Sequence, residues 1–515
     1  MTSTHDEYFQ TDDLENRVGR ETVRGGALTI SGTLIAMVVR LGSLFMLARL
    51  LSPRDFGLFG MAMVPSAVIS IFRQLGYPTA IVQSSDLHHS QVTQLFWINV
   101  KWVGLLTVAA VLSIPAIGFY FGEQRLFPLA LAAIFGTAVV ATSIIHAGLL
   151  RRRMRFGVLF TERVCSVACG AIVGVGSALQ GMGAWALVLQ HVTINLGIVL
   201  IRWLRCSWRP SRPRRGDRNQ ADVRSLLRFG HDTLAIRILD QLSMQLHTVI
   251  VGGISGVAML GIYQNALRWA QFPAELVTPL GRVAISGLSR LRSSSEAYQA
   301  CASTTMLVLF SVLVPAIALI MLDTEALILL LLGAPWLEAA PVLRWLAIAM
   351  FADGIMRVAE LYILTEGRTG WLVRWSLFRN AMSTVGILLG VVWGPTGAAA
   401  GFAITSWICV VPTVSGLLTL TPVNWRVFLA AICRPAVACS ASCGLVAFGL
   451  RWCGSVGAVL PFATMVLLFS VAYTVLWVVP AGGMNALRAM VDLASDKSSS
   501  NVLLNNSALH RESLD

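Results

Sequence analysis

Long apolar runs separated by short polar breaks fill most of this 515-residue chain. A hydrocarbon core of roughly 30 Å takes about 20 apolar residues of α-helix per crossing, and many of the runs reach that length. The pattern therefore predicts fourteen transmembrane helices. They cover residues 25–49, 56–76, 92–118, 126–150, 158–180, 184–204, 229–252, 258–281, 300–322, 338–364, 370–393, 397–419, 427–450 and 456–480.

Composition supports an all-α, polytopic membrane protein. Hydrophobic residues make up 56% of the chain and charged residues only 13%, with a mean hydropathy of +0.71; this leaves too few charges to cover a soluble globule of such size. The predicted helices contain no HExxH, GxSxG or Walker-type motif, and the nine cysteines lack metal-ligand spacing. We therefore expect a protein that is not an enzyme, with no cofactor and no metal site.

The net charge of +13 is concentrated in a few loops. The longest polar segment inside the chain, Arg202–Arg228, carries nine arginines. Lysine and arginine favour cytoplasmic loops, and the predicted loops on the two sides of the membrane differ strongly in their number of these residues. The positive charge is therefore better explained by the orientation of the protein in the membrane than by nucleic-acid binding. Both termini are then cytoplasmic. Met1–Arg24 is polar and lacks a short apolar segment ending in a cleavage site, so we expect no signal peptide.

Three short sequence echoes, offset by about 204 to 214 residues and in the same order, indicate an internal repeat. The first pairs Leu51–Phe59 with Ile254–Tyr263. Six predicted helices separate equivalent points, so the repeats share one orientation in the membrane, as in transporters that rock around a central site. The expected division is a cytoplasmic tail (1–24), an N-lobe (25–204), a basic cytoplasmic linker (205–228), a C-lobe (229–419), two further helices (420–480) and a second cytoplasmic tail (481–515).

The same turns carry a family resemblance. The segments Ala48–Gly57, Leu149–Phe156, Gly261–Tyr263 and Pro279–Arg282 resemble the Wzx-like polysaccharide-exporter branch of the multidrug/oligosaccharidyl-lipid/polysaccharide flippase superfamily. The resemblance covers roughly residues 20 to 480. It implies two six-helix lobes in a V shape, often with two extra C-terminal helices. It also implies a bacterial inner-membrane protein that flips undecaprenyl-pyrophosphate-linked oligosaccharide.

Polar residues inside the predicted helices are the candidate site residues, because a charge in the membrane faces a cavity or a partner. Two helices carry polar stripes at steps of three and four residues. The stripes are Arg237, Asp240, Gln241, Gln245 and Thr248 in one helix, and Gln264, Arg268, Gln271 and Glu275 in the next. The other polar side chains are Arg40, Asn99, Lys101, His146, His191, Asn195, His247, Asp353, Arg357 and Glu360.

With a pyrophosphate cargo implied by the resemblance, Arg40, Arg237 and Arg268 are the predicted phosphate-binding residues, since arginine offers two fixed donors to phosphate. The four glutamines at 241, 245, 264 and 271 would line the same cavity. Asp240 or Glu275 would couple transport to protons or sodium. A structural alternative stays open, in which Arg237–Asp240 and Arg357–Glu360 are internal salt bridges.

The favoured function is translocation of a lipid-linked oligosaccharide for surface or exopolysaccharide synthesis. Its expected partners are the glycan lipid, membrane lipids, and polysaccharide polymerase and export machinery, without nucleic acid. A multidrug cation antiporter is the first alternative, but intramembrane basic residues here at least match the acidic ones. A membrane glycan polymerase or ligase is the second; it would need a large periplasmic loop that the predicted helices leave no room for.

The charge distribution predicts the location of the linker. A fluorescent protein inserted after Gly216, which works in the cytoplasm, should be fluorescent. Alkaline phosphatase inserted at the same position should be inactive. The opposite pattern would contradict the predicted topology.

Overall fold

The computed structural model describes residues 18–72, 87–211, 231–290, 295–453 and 459–478, with a few positions between 78 and 84. These residues form α-helices and contain no strand. The helices are α1 (Val18–Leu50), α2 (Pro53–Phe72), α3 (His89–Phe121), α4 (Leu126–Ala141), α5 (Ile144–Arg152), α6 (Phe156–Leu179), α7 (Ala184–Arg205), α8 (His231–Ser255), α9 (Val257–Arg290), α10 (Ser295–Leu322), α11 (Thr324–Leu331), α12 (Ala339–Thr365), α13 (Thr369–Gly390), α14 (Gly394–Leu420), α15 (Trp425–Cys453) and α16 (Val459–Val478).

The predicted all-α class is confirmed, and a helix covers most of each predicted segment. Within the described residues, eight helical segments are long and apolar enough to cross a membrane, so the count of fourteen crossings stays a prediction. One prediction needs correction: the helix over 126–150 breaks at Thr142 and Ser143 into α4 and α5. The short helix α11 was not predicted. Most of the linker, all of the C-terminal tail and residues 1–17 lie outside the described residues.

The chain divides into two compact units, residues 1–264 and 265–515. In the first unit, α6 packs against α1 and α7, and α2 packs against α4 and α8. In the second, α14 lies against both α12 and α13, and α10 lies against α15. The lobe boundaries expected from the repeat, 25–204 and 229–419, are not tested by this division and stay predictions.

Within the first unit, α2 and the start of α9 cross at two glycines. A side chain on Gly57 would collide with the carbonyl of Val257, and one on Gly261 would collide with the carbonyl of Pro53. The contact is reciprocal, and each matched pair, Pro53 with Val257 and Gly57 with Gly261, is 204 residues apart. Small residues let membrane helices approach this closely. The first sequence echo therefore marks a helix crossing whose two sides contact each other in equivalent ways.

The crossing predicts that Gly57→Leu destabilises the protein by about 1–3 kcal/mol, because a larger side chain forces the two backbones apart. Gly261→Leu should have the same effect. Gly104→Leu is the matched control, since a Cβ at helical Gly104 meets no atom within 4 Å. Denaturant-induced unfolding in detergent micelles measures the three variants. Equal stability of Gly57→Leu and Gly104→Leu would contradict the close crossing.

Candidate functional site

Four of the five residues in the polar stripe of α8 are accessible, and the fifth, Thr248, is buried. Arg237 is exposed, while Asp240, Gln241 and Gln245 are partly exposed. The buried stripe of the same helix consists of Ser243, His247, Thr248, Val251 and Gly252. Ser243 Oγ and the His247 ring nitrogen Nε2 lie 3.1 Å apart, which gives these buried polar groups a partner inside the helix. The four accessible residues thus face away from the buried stripe or lie at its edge.

The residues of the polar stripe on α9 differ in their exposure and in their hydrogen bonding along the helix. Gln264 Nε2 donates to Thr248 Oγ1 on α8 at 3.3 Å, and its amide covers Gly60 of α2 so closely that a Cβ at Gly60 would collide with it. Gln264 therefore joins three helices. Farther along α9, Arg268 and Glu275 are exposed and Gln271 is partly exposed.

Arg40 lies on α1, which packs along α6, and its side chain is exposed. The three predicted phosphate-binding arginines are therefore on three helices, α1, α8 and α9, and all are accessible. Their accessibility matches a role in a water-filled path, while the role itself stays a prediction.

The break between α4 and α5 holds a second group of polar residues. Thr142 Oγ1 and Ser143 Oγ each donate to a carbonyl three residues earlier, at 2.7 and 2.8 Å, a local bond that competes with regular helix geometry. The carbonyl of Ala141 at the break accepts a hydrogen bond from Asn99 Nδ2 at 2.9 Å. From the sequence Asn99 is only an intramembrane polar residue; in the structure it satisfies a backbone group that the break releases.

Beside the break is a buried ion pair between α6 and α7. Arg202 Nε and Nη2 donate to the two carboxylate oxygens of Glu162 at 2.9 and 2.8 Å, and Arg202 Nη1 donates to Ser143 Oγ at 3.1 Å. The side chains are only 13% and 8% exposed. From the sequence, Arg202 is the first residue of the polar segment Arg202–Arg228, and Glu162 is not among the candidate residues. The fork-to-fork geometry, with a third partner at Ser143, is the arrangement in which a buried pair is stable.

Two further histidines of this unit, His146 and His191, are surrounded by protein side chains. His146 is fully buried, with its ring centroid 4.5 Å from that of Trp203 and 5.3 Å from that of Trp208. The His191 Nε2 atom lies 3.1 Å from Thr137 Oγ1 and 3.0 Å from Asn195 Nδ2. Among the described residues, no group of three or more His, Cys, Asp or Glu side chains is placed to hold a metal ion.

A charge network joins α12 and α13 in the second unit. Arg357 Nε donates to Asp353 Oδ2 at 2.5 Å. Arg379 of α13 lies between the two acids of α12, with its Nη1 atom 3.7 Å from Asp353 Oδ1 and 3.4 Å from Glu360 Oε1. The structural alternative considered from the sequence paired Arg357 with Glu360. The structure instead shows Arg357 bonded to Asp353, and it places Arg379 beside Glu360.

Arg379 and Glu162 were not predicted as site residues, although the sequence contains a signal for each of them. Arg379 lies in the middle of an apolar segment predicted over 370–393, and a mid-membrane arginine needs a partner. Glu162 lies near the start of the segment predicted over 158–180. In both cases the partner is on another helix, and a periodic pattern within one helix does not show it.

The family described as polysaccharide biosynthesis protein matches residues 46–341. The teichuronic acid biosynthesis protein TuaB of Bacillus subtilis is 23% identical, over 84% of this chain and 89% of the relative. The lipopolysaccharide biosynthesis protein WzxC of Escherichia coli is 22% identical, over 75% and 79%. The succinoglycan biosynthesis transport protein ExoT of Rhizobium meliloti is 24% identical, over 87% and 90%.

Solved structures share the fold at low sequence identity. The lipid II flippase MurJ in an inward closed conformation superposes with a TM-score of 0.63 and 13% identity, over 88% of this chain and 98% of that chain. An inward-facing multidrug resistance MATE family transporter of the MOP superfamily gives 0.56 and 14%, over 80% and 98%. The chain therefore has the MurJ/MATE-like transporter fold.

The buried pair predicts a large difference between two arginine substitutions. Arg202→Met leaves the Glu162 carboxylate buried without its partner, which should destabilise the protein by about 3–5 kcal/mol. Arg344→Met is the matched control. It breaks the exposed pair with Glu325, whose atoms are 3.1 Å apart, and should change stability by less than about 1 kcal/mol. Denaturant-induced unfolding in micelles compares them, and equal losses would contradict the account of the buried pair.

Proposed function

Because this chain belongs to the polysaccharide biosynthesis protein family, we propose that it is a flippase for undecaprenyl-pyrophosphate-linked oligosaccharide. It moves repeat units across the bacterial inner membrane for surface or exopolysaccharide synthesis. The observation that carries the proposal is the agreement between two comparisons. Relatives named for polysaccharide synthesis or transport align over most of the chain, and the fold matches membrane transporters.

The polar residues fit this cargo. A diphosphate and a glycan are too polar to cross hydrocarbon without a hydrated path. Arg40, Arg237 and Arg268 are accessible on apolar helices and would bind the phosphates, with Gln241, Gln245 and Gln271 contributing hydrogen bonds to the sugar. Gln264 is the weakest member of the set, because its amide is already bonded to Thr248.

The transport cycle we propose is alternating access coupled to an ion gradient. Asp240 and Glu275 are the coupling candidates, being carboxylates on the partly or fully exposed positions of α8 and α9. Both termini are cytoplasmic in this arrangement. Polymerase and export proteins are the further partners, since a flipped repeat unit has to be joined to others and carried outward.

Deletion and complementation in the host tests the proposal. Loss of the gene should abolish surface polymer, and the wild-type chain should restore it. Arg237→Ala and Arg268→Ala should restore markedly less polymer at normal protein level, because each removes a phosphate ligand. Arg374→Ala is the control, since Arg374 is an exposed arginine near the start of α13 outside the candidate set.

The deletion also separates the alternatives. Intact polymer in the deletion strain, accompanied by sensitivity to cationic drugs, would contradict the flippase and favour a multidrug antiporter. Full polymer restoration by Arg237→Ala and Arg268→Ala would remove those arginines from the proposed site and leave the flippase assignment in place.

A further inference from the structure

Arg357 is exposed on a helix whose second half is otherwise enclosed. α12 is 27 residues long, or about 40 Å, and it lies along the apolar helix α14. Between Leu346 and Thr365 every residue other than Arg357 is buried or partly buried. The Arg357 side chain is 60% exposed. Arg357 is thus an exposed cation in the second half of α12, which is otherwise enclosed.

Only part of the Arg357 guanidinium is occupied. Its Nε atom donates to Asp353, and among the residues that the structure describes no group accepts from its two terminal nitrogens. The other oxygen of Asp353 faces Arg379, which also approaches Glu360. Asp353 is therefore shared between two arginines. The bond to the Asp353 carboxylate also fixes the direction of the Arg357 guanidinium. It leaves the two terminal nitrogens of Arg357 available as donors.

Membrane physics limits where such a group can face. An arginine in the middle of a bilayer is unfavourable by about 2.5–3.5 kcal/mol on insertion scales, and it faces a water-filled cavity or a partner. The Arg357 side chain is 60% exposed, as expected for a side chain that lines a cleft. The geometry is that of a prepared fork for an oxyanion, because planar guanidinium donors match two oxygens of a phosphate or carboxylate.

We propose that Arg357 binds an oxyanion on the polar head of the transported lipid-linked glycan, with Asp353 and Arg379 as positioning residues. This inference rests on the proposed function and adds a contact in the second unit that the polar stripes of α8 and α9 do not include. Two parts of such a cargo supply an oxyanion: the diphosphate and the carboxylate of an acidic sugar. The experiment below separates them.

The first measurement is calorimetric titration of the full-length protein in detergent with inorganic pyrophosphate and, separately, with glucuronate. Arg357→Gln should weaken binding of at least one probe by about tenfold or more, the usual effect of losing hydrogen bonds to a charged group. Arg357→Lys keeps the charge but loses the fork and should give an intermediate loss. Arg344→Gln, which removes a 47% exposed arginine from the same helix, should bind both probes as the wild type does.

The responding probe identifies the source of the oxyanion: pyrophosphate indicates the diphosphate, and glucuronate indicates an acidic sugar. Wild-type affinity of Arg357→Gln for both probes would overturn the proposal. So would the absence of measurable binding by the wild type, or an equal loss in Arg344→Gln, which would indicate nonspecific attraction to a basic protein.

Transport in proteoliposomes then separates this inference from the proposed function. If the wild type moves labelled lipid-linked oligosaccharide, Arg357→Gln should do so at about one tenth of the rate or less, in line with the expected loss of binding. Wild-type transport by Arg357→Gln would overturn the role of Arg357 and leave the flippase standing. Failure of the wild type to move this cargo would overturn the proposed function instead, and with it the cargo assigned to Arg357.

Discussion

Water is absent from the hydrocarbon core, so each polar group placed there needs a partner inside the protein. This constraint explains the polar contacts in both units. Asn99 satisfies the carbonyl released at the α4–α5 break, and the Glu162 carboxylate receives both donors of the Arg202 fork. Asp353 is shared by two arginines. The accessible end of Arg357 differs from these groups, and we propose that water and cargo reach the helices there.

Close contacts between helices depend on a different feature, the glycines, which have no side chain. Gly57 and Gly261 let α2 and α9 cross through backbone contact, and Gly386 and Gly401 do the same for α13 and α14. In a membrane the surrounding lipid is as apolar as leucine, so association depends on such close packing more than on burial of apolar surface. The 204-residue spacing of the first crossing gives the internal repeat a physical meaning: equivalent backbone positions meet each other.

Periodicity located nearly all the helices, because the length and apolar character of a membrane helix are written in consecutive residues. It did not show the break at Thr142–Ser143, where the deciding factor is local bonding by two hydroxyl side chains together with the distant amide of Asn99. Periodicity also did not show which residues pair with the buried charges. Arg379 and Glu162 pair across helices, and the stripes on α8 and α9 identified accessible residues without showing which of them contact a cargo. The family resemblance was confirmed by the comparisons.

These observations meet in one physical account: apolar helices closely packed through glycines, internal charges neutralised in pairs, and a small number of accessible cations, which we propose bind the anionic head of the transported lipid. Translocation itself is the most direct test. Purified protein in proteoliposomes should move labelled undecaprenyl-pyrophosphate-linked oligosaccharide between leaflets faster than protein-free vesicles, and an imposed proton or sodium gradient should increase the rate. A rate equal to that of protein-free vesicles, with and without the gradients, would contradict the account.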